Sequence, residues 1–310
     1  MVERTTTGMA PTEAAMADAA AAATGATRLP AGRAFTKMHG AGNDFVVLDC
    51  RGADAPDPSL CRAMADRHTG VGCDQILTIE QPRGPGALAG YRIWNADGSQ
   101  AGQCGNGARC VAAWVLRDVR ARGDEPPRRF HLESPAGRHE VEALDDGRYR
   151  VAMGIPCFDP ASVPLLGFDA PRERYVIAAG GSILEVGAVS MGNPHVVLEV
   201  EEIDVADVGV LGPRVQGYGG LPDSANVGFV QLLAPNRIRL RVYERGVGET
   251  RACGSGACAA VAVLVRRGSA AREVAVELPG GTLQVAWPSD DAPMTMAGPA
   301  EFVFEGVWPA

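Results

Sequence analysis

Short runs in which apolar and polar residues alternate dominate the chain from residue 34 onwards. A period of two, interrupted by glycine, asparagine or aspartate, is typical of strands with one buried face. Continuous apolar runs of the kind that form parallel sheets are not evident. The pattern predicts a mainly antiparallel sheet with strands at Phe35–Met38, Phe45–Asp49, Ile76–Ile79, Tyr91–Trp94, Phe130–Glu133, Arg138–Glu142, Arg148–Met153, Val186–Ser190, Val196–Val200, Phe229–Gln231, Arg237–Tyr243, Val274–Leu278 and Thr282–Trp287.

Three stretches have the pattern of helices. One helix is expected from Asp57 to His68, with Pro58 near its first position. The other two are apolar and follow small residues, over Val111–Leu116 and Ala259–Val265. An antiparallel sheet wrapped around such a helix buries both, so the predicted fold class is α/β of the α+β type.

Two stretches, Gln103–Ala112 and Ala252–Ala260, share the order Cys-Gly-x-Gly-Ala. Their cysteines are 149 residues apart (253 minus 104), which is about the length of one domain. The repeat predicts two pseudo-symmetric domains, each a sheet around a central helix. We expect a disordered extension at 1–33, an N-terminal domain at 34–148 plus 298–310, and a C-terminal domain at 149–297.

The repeat places Cys104 and Cys253 at the N-termini of the two apolar helices. Unpaired N–H groups and the helix dipole stabilise an anion there, so we expect a lowered thiol pKa. The neighbouring glycines, which lack a Cβ, let a substrate carboxylate approach the same N–H groups. Cys104 and Cys253 are therefore candidate catalytic thiols, whereas Cys110 and Cys258, inside the helices, are expected to be packing residues.

Composition narrows the class of partner. The chain has 310 residues, a net charge of -8 and no dominant basic stripe, which argues against nucleic acid. No apolar run approaches the roughly 18 to 20 residues of a membrane span. We therefore expect a soluble cytoplasmic protein that handles a small molecule.

The cysteines and the single lysine bear on cofactors. None of the eight cysteines has C-x2-C spacing, so no metal site is expected, and the thiols suit a reducing cytosol. Pyridoxal phosphate enzymes need a Schiff-base lysine, and Lys37 is the only candidate.

With these motifs assembled, the chain resembles the diaminopimelate epimerase family from Phe35 nearly to its C-terminus. Besides the two cysteine motifs, the matching blocks are Lys37–Phe45, Arg67–Gln75, Asn95–Ser99, Ser190–His195, Ala225–Phe229 and Arg241–Gly246. The resemblance implies a cofactor-independent epimerase that interconverts LL- and meso-2,6-diaminopimelate in lysine and peptidoglycan biosynthesis. It also implies a two-domain fold whose final strand returns to the first, and a homodimer.

The resemblance also implies roles for individual residues. The catalytic thiols fall on Cys104 and Cys253, and His195 and Glu244 lie near the reacting centre. The chain departs from the family pattern in its N-terminal extension and in Cys73, where an apolar residue is expected. The implied substrate ligands are Asn43, Gln75, Asn95, Gly105, Asn106, Asn193, Asn226, Glu244, Arg245, Gly254 and Ser255, with backbone donors at Gly105, Asn106, Gly254 and Ser255.

Two opposed thiols suit inversion of a carbon. One removes the hydrogen as thiolate while the other delivers a hydrogen to the opposite face, and helix N–H groups in a closed cleft stabilise the charge on the carboxylate. Closure of the two domains is expected to exclude water from the site. The planar guanidinium of Arg245 suits bidentate hydrogen bonding to a carboxylate at the distal end of the substrate.

Several alternatives stay open at this stage. Asn43 can be a turn former, Arg245 a surface residue, His195 a helper of the Asn193 turn, and Glu244 an ion-pair partner of Arg245. A proline racemase or hydroxyproline epimerase would also use two thiols, but its substrate gives Arg245 no partner. A redox or metal-binding dithiol protein would be a different class, and the cysteine spacing argues against it.

Overall fold

The computed structural model of the protein describes residues 32–309. The disordered extension expected at 1–33 therefore lies outside the described residues except for Gly32 and Arg33, which belong to a strand. Residues Phe35–Gly306 form one compact unit, which contains every candidate site residue. The helices are α1 (Pro58–Ala65), α2 (Gly105–Ala121), α3 (Val208–Gln216) and α4 (Gly254–Arg266), with one 3-10 turn at Pro160–Ser162. The strands are β1 (Gly32–Gly40), β2 (Asn43–Asp49), β3 (Gln75–Glu80), β4 (Ala87–Asn95), β5 (Gln100–Ala101), β6 (Arg129–Ser134), β7 (Gly137–Ala143), β8 (Tyr149–Gly154), β9 (Tyr175–Ala179), β10 (Ser182–Ser190), β11 (Pro194–Glu199), β12 (Asn226–Ala234), β13 (Arg237–Glu244), β14 (Gly248–Thr250), β15 (Glu273–Leu278), β16 (Gly281–Ala286), β17 (Met294–Gly298) and β18 (Glu301–Pro309).

One order of strand pairings occurs twice. From β1 to β8 the pairs β1–β2, β3–β4, β4–β5, β6–β7 and β7–β8 are antiparallel, while β2–β3 and β4–β6 are parallel. From β10 to β17 the same order returns, with β11–β12 and β13–β15 as the parallel pairs. The mainly antiparallel α+β fold and its pseudo-symmetry are confirmed; the four parallel pairs were not expected.

The two halves join through strands β8 and β17, which pair antiparallel. Each half wraps its sheet around one apolar helix, as predicted. Helix α2 packs with Leu77, Ile93 and Val141, and helix α4 packs with Val242 and Val276. Burying an apolar helix against an apolar sheet face removes both from water, which is the dominant favourable term in folding.

Local geometry places the first site residue. Ala41 and Gly42 both have positive φ (52° and 84°), and together they form the two-residue hairpin turn between β1 and β2. Asn43 is paired with Gly40 and opens β2, so its side chain stands at the end of the sheet. Helix α1 begins after the N-cap Asp57 as predicted but ends at Ala65, before the expected His68.

Helix α1 ends early because Asp66 leaves the helical conformation. Its carboxylate accepts hydrogen bonds from the backbone N–H groups of His68 and Thr69, which close a turn instead of another helical step. Within residues 32–309 no helix has both the length and the apolar character that crossing a bilayer requires.

Candidate active site

Each candidate catalytic cysteine lies immediately before a helix. Cys104 is the N-cap of α2 and Cys253 is the N-cap of α4, both with extended backbone (φ of -146° and -123°). The Cys104 Sγ accepts a hydrogen bond from the backbone N–H of Gly107 at 3.4 Å. The first N–H groups of a helix have no partner within the helix, so each start can hold an anion. The predicted position of both thiols at helix N-termini is confirmed.

The two cysteine motifs lie against each other. A Cβ at Gly105 would come within 2.6 Å of Met296 Cε, and a Cβ at Gly254 would come within 2.9 Å of the same atom. Both helices therefore start over one side chain of strand β17. The Asn106 Nδ2 donates to the carbonyl of Ala252 at 3.3 Å, and Ala252 is the residue directly before Cys253. The fold thus brings the two repeats into one site.

Burial changes the expected electrostatics of both thiols. Desolvation raises the pKa of Cys104 to about 11 and raises the pKa of Cys253 well above its ordinary value. The Gly107 N–H acts on the pKa of Cys104 in the opposite direction but is outweighed. The expected lowering of the thiol pKa is therefore wrong, because removal from water destabilises the anion more than the helix start stabilises it. Both thiols are protonated until a base accepts the proton.

Glu244 supplies such an acceptor. Its Oε2 accepts a hydrogen bond from Cys253 Sγ at 3.0 Å, and its Oε1 accepts one from Thr250. Burial raises the pKa of Glu244, and its charge in turn raises the pKa of both Cys253 and Cys104. A single carboxylate therefore acts electrostatically on both thiols.

The polar residues of the first half form two groups. Asn43 Oδ1 accepts from Cys104 Sγ at 3.6 Å and from Asn106 Nδ2 at 3.3 Å, so Asn43 and Asn106 belong to the thiol site. Gln75 Nε2 donates to Asn95 Oδ1 at 2.9 Å across paired strands β3 and β4. Since β2, β3 and β4 are neighbours, these side chains lie at one edge of the sheet.

The second half connects His195 to Cys253. The Nε2 of His195 lies 3.0 Å from Asn193 Oδ1, Asn193 Nδ2 donates to Ser255 Oγ at 3.3 Å, and Ser255 Oγ lies 3.7 Å from Cys253 Sγ. Burial, followed by the charge of Arg245, lowers the pKa of His195 to about 3. His195 is therefore neutral at physiological pH, and it holds the side chain of Asn193.

Asn226 and Arg245 form a further pair. The Asn226 Oδ1 accepts from the backbone N–H of Arg245 at 2.9 Å. The Arg245 side chain is exposed, and its Nη1 donates to the Asp223 carbonyl at 2.8 Å rather than to Glu244. The guanidinium thus stands on the solvent-exposed side of Asn226.

Sequence reasoning missed three charged residues around the thiols. Asp74 accepts from Asn43 Nδ2 at 2.8 Å, and Arg67 donates to Asp74 Oδ1 at 2.6 Å. Arg109 is 0 % exposed and donates to Asn106 Oδ1 at 2.9 Å. A signal was present, because Arg109 is the charged residue inside the first motif and its equivalent in the second motif is Cys258.

The extra thiol Cys73 is only 3 % exposed, and burial raises its pKa to about 12. The packing roles predicted for Cys110 and Cys258 are confirmed, since both side chains are 0 % exposed.

Comparison with known proteins identifies the relatives of this chain. The family model described as diaminopimelate epimerase matches residues 35–158 and 187–303. A protein from Xanthomonas euvesicatoria named diaminopimelate epimerase is 58% identical over 275 residues, which cover 88% of this chain and 95% of that protein. One of the same name from Xylella fastidiosa strain M12 is 56% identical with the same coverage.

Solved structures share the fold at low sequence identity. A hydroxyproline epimerase from Agrobacterium vitis superimposes with a TM-score of 0.62 at 14% identity, covering 90% of this chain and 93% of that one. At this identity the likeness concerns the fold alone.

Proposed function

Because the chain belongs to the diaminopimelate epimerase family, we propose that it is an isomerase that interconverts LL- and meso-2,6-diaminopimelate in lysine and peptidoglycan biosynthesis. The observation that carries this proposal is the contact between the two cysteine motifs, in which Asn106 bonds to the residue preceding Cys253. One thiol from each half then faces a shared substrate. Inversion of a carbon needs this arrangement, because the hydrogen leaves from one face and returns on the other.

In the proposed mechanism one cysteine acts as thiolate base and the other as thiol acid, and the roles exchange in the reverse direction. Burial raises the pKa of both thiols, so a proton must leave one sulfur before reaction. The Cys253 S–H already points to Glu244 Oε2, which supports Glu244 as the group that takes it. The neutral His195 contributes by fixing Asn193, whose amide donates to Ser255 beside Cys253.

The substrate α-carboxylate would lie between the two helix starts. The backbone N–H groups of Gly105 and Asn106 on one side, and of Gly254 and Ser255 on the other, belong to the first helical turns and point out of the helix ends. The hydrogen α to a carboxylate is weakly acidic, so charge accumulates on the carboxylate as it is removed. Preorganised N–H groups in a water-poor site stabilise that charge.

Arg245 and the side-chain amides are proposed to bind the distal amino-acid group of the substrate. Arg245 is exposed at the site edge and suits bidentate binding of a carboxylate. Gln75, Asn95, Asn193 and Asn226 present neutral donors and acceptors, which bind an ammonium and a carboxylate without adding net charge. A substrate with two amino-acid ends uses both sets.

We propose that the enzyme works without pyridoxal phosphate. Its only lysine, Lys37, is 7 % exposed and donates to Asp44 and to the Gly72 carbonyl, which fixes its ammonium within the fold. The cysteine pair provides the acid and the base that the reaction requires, so the proposed chemistry needs no electron sink.

We further propose a cytoplasmic homodimer. Strand β18 exposes Phe302 and Phe304 on one face and Val303 on the other, and exposed apolar side chains of this size favour contact with a second copy. Cys104, Cys157 and Cys253 are free thiols, which suits a reducing compartment.

The test of the proposed function is chiral chromatography. Purified enzyme incubated with LL-diaminopimelate and no added cofactor is expected to yield the meso isomer, and the reverse reaction is expected to proceed. L-Proline and trans-4-hydroxy-L-proline serve as competing substrates. Epimerisation of either imino acid with no turnover of diaminopimelate would refute the substrate assignment.

A further inference from the structure

Two amides at the thiol site are hydrogen-bonded in a single direction. Arg109 Nη2 donates to Asn106 Oδ1 at 2.9 Å, Asn106 Nδ2 donates to Asn43 Oδ1 at 3.3 Å, and Asn43 Nδ2 donates to Asp74 Oδ2 at 2.8 Å. We refer to these four residues as the amide chain. It runs from a cation in helix α2 to a carboxylate that directly precedes strand β3.

The two ends determine which way each amide points. A side-chain amide can be turned by 180° with little change in shape, so its orientation depends on its partners. A guanidinium only donates, and a carboxylate only accepts. With Arg109 at one end and Asp74 at the other, each link has one donor and one acceptor in one orientation only.

Both end residues are themselves held. Arg109 is 0 % exposed and also donates to the carbonyls of Gly105 and Pro299. The other oxygen of Asp74, Oδ1, accepts from Arg67 at 2.6 Å, and Oδ2 also accepts from the backbone N–H of Asp44 at 3.1 Å. Neither end can turn away without losing several hydrogen bonds.

The orientation has a chemical consequence at Cys104. The amide chain points the carbonyl oxygen of Asn43 at the Cys104 sulfur, at 3.6 Å. An acceptor in this position stabilises the protonated thiol, whereas the opposite orientation would present an N–H group and stabilise the thiolate. The same orientation directs the second N–H of Asn106 to Ala252, so the chain also ties the two motifs together.

We propose that Asp74 and Arg109 are positioning residues that hold Asn43 with its carbonyl oxygen toward Cys104, and so favour this thiol as the proton donor in the direction in which Cys253 gives its proton to Glu244. The role as proton donor rests on the proposed function, while the orientation itself does not. Both residues act through the two amides and lie outside the set of proposed substrate ligands.

Other groups around Cys104 must stay unchanged in a test of this proposal. The charges that act on Cys104 are those of Glu244 and Arg109, and its titratable neighbours are Tyr91 and Cys110. Substitution of Asp74 leaves all four in place. Asp74 also acts on Glu244 through its charge, so a loss of charge must be separated from a loss of hydrogen bonding.

Two substitutions of Asp74 make that separation. Asp74→Ala removes both the charge and the acceptor. Asp74→Asn removes the charge but keeps one oxygen, which satisfies Asn43 Nδ2 and the Asp44 N–H, while its NH2 group faces the exposed guanidinium of Arg67. The matched control is Asp146→Ala, because Asp146 is likewise exposed and accepts from both the side chain and the backbone of an arginine, Arg148.

The experiment measures the rate of Cys104 alkylation by iodoacetamide against pH, with each cysteine followed by peptide mass spectrometry. In Asp74→Ala the rate at neutral pH is expected to rise about threefold to tenfold, as the loss of one oriented hydrogen bond predicts. Asp74→Asn and Asp146→Ala are expected to stay near the wild-type rate. Cys61, Cys110 and Cys258, all 0 % exposed, report the fold by remaining unlabelled.

Two results would overturn the proposal. One is an Asp74→Ala rate equal to wild type; the other is an equal change in Asp74→Asn and Asp74→Ala, which would assign the effect to charge alone. The alkylation readout requires no substrate, so a protein that fails to turn over diaminopimelate yet shows the expected pattern would refute the proposed function and leave the orientation of Asn43 intact.

Discussion

Asn95 and Glu244 occupy equivalent positions in the two halves of the molecule. Ile93 pairs with Ala101 in the first half, and Val242 pairs with Thr250 at the same place in the second half. Asn95 follows Ile93 by two residues, and Glu244 follows Val242 by two residues, so they are equivalent. The fold therefore gives the two sides the same backbone, while the sequence gives one a neutral amide and the other a carboxylate. The pseudo-symmetric site is chemically asymmetric at this pair.

Replacing either site thiol should abolish turnover. Cys104→Ala or Cys253→Ala removes one of the two groups that exchange hydrogen with the substrate, and a loss of at least about 10³-fold in kcat is expected from typical acid–base contributions. The measurement is chiral chromatography of the product. Cys157→Ala, which removes an exposed thiol, is the control and should keep wild-type activity. Near-normal turnover in either site variant would contradict the two-thiol mechanism.

Glu244→Gln should separate thiol acidity from catalysis. Because the charge of Glu244 raises the pKa of Cys253 and Cys104, its removal lowers both, and iodoacetamide should alkylate these thiols faster at a given pH. Turnover should nevertheless fall by about 10²-fold, since the acceptor of the Cys253 proton is lost. Glu249→Gln, at an exposed carboxylate paired with Arg241, is the control. Full turnover in Glu244→Gln would exclude Glu244 as the proton acceptor.

Acid should destabilise the fold through His195. Its pKa of about 3 in the folded state lies below the ordinary 6.5, so the unfolded state binds a proton that the folded state does not. The free energy of unfolding contributed by this group is complete above about pH 6.5 and falls by about 1.4 kcal/mol per pH unit as the pH drops toward 3. Urea unfolding between pH 6.5 and 5 should show this slope.

The control for this effect is a pair of histidine variants. His195→Gln should flatten the slope, whereas His68→Gln, at an exposed position, should leave it unchanged. An identical slope in wild type and His195→Gln would mean that His195 is not buried in its neutral form.

Mild oxidation should inactivate the enzyme reversibly. We expect an oxidant to join Cys104 to Cys253, because the hydrogen bond from Asn106 to Ala252 brings the two motifs together, and dithiothreitol should restore activity. Non-reducing peptide mapping identifies the bridge. Persistent full activity after oxidation would argue against the proximity of the thiols.

The sequence predicted the elements whose pattern is local. The Cys-Gly-x-Gly-Ala repeat is followed by an apolar run in both halves, and this placed Cys104 and Cys253 at helix starts correctly. The strands Val274–Leu278 and Thr282–Trp287 were likewise predicted, because turn residues separate two alternating runs. The family blocks supplied the remaining ligands, although their assembly around the thiols depended on the fold.

Other features depend on tertiary context and left no local pattern. Helix α3 contains Pro213 and was missed, since proline inside a helix normally argues against one. The thiol pKa was predicted in the wrong direction because the sequence shows the helix start but not the burial that outweighs it. Asp74 was overlooked because its role exists only through Asn43, which lies 31 residues earlier in the chain.

The most direct test of the two-thiol account is epimerisation of LL-diaminopimelate in heavy water without pyridoxal phosphate. At low conversion the account predicts solvent deuterium at the inverted α-carbon of the meso product and no deuterium in the remaining LL substrate, because different groups remove and deliver the hydrogen. Equal deuterium in product and recovered substrate, or product formed without deuterium, would contradict it.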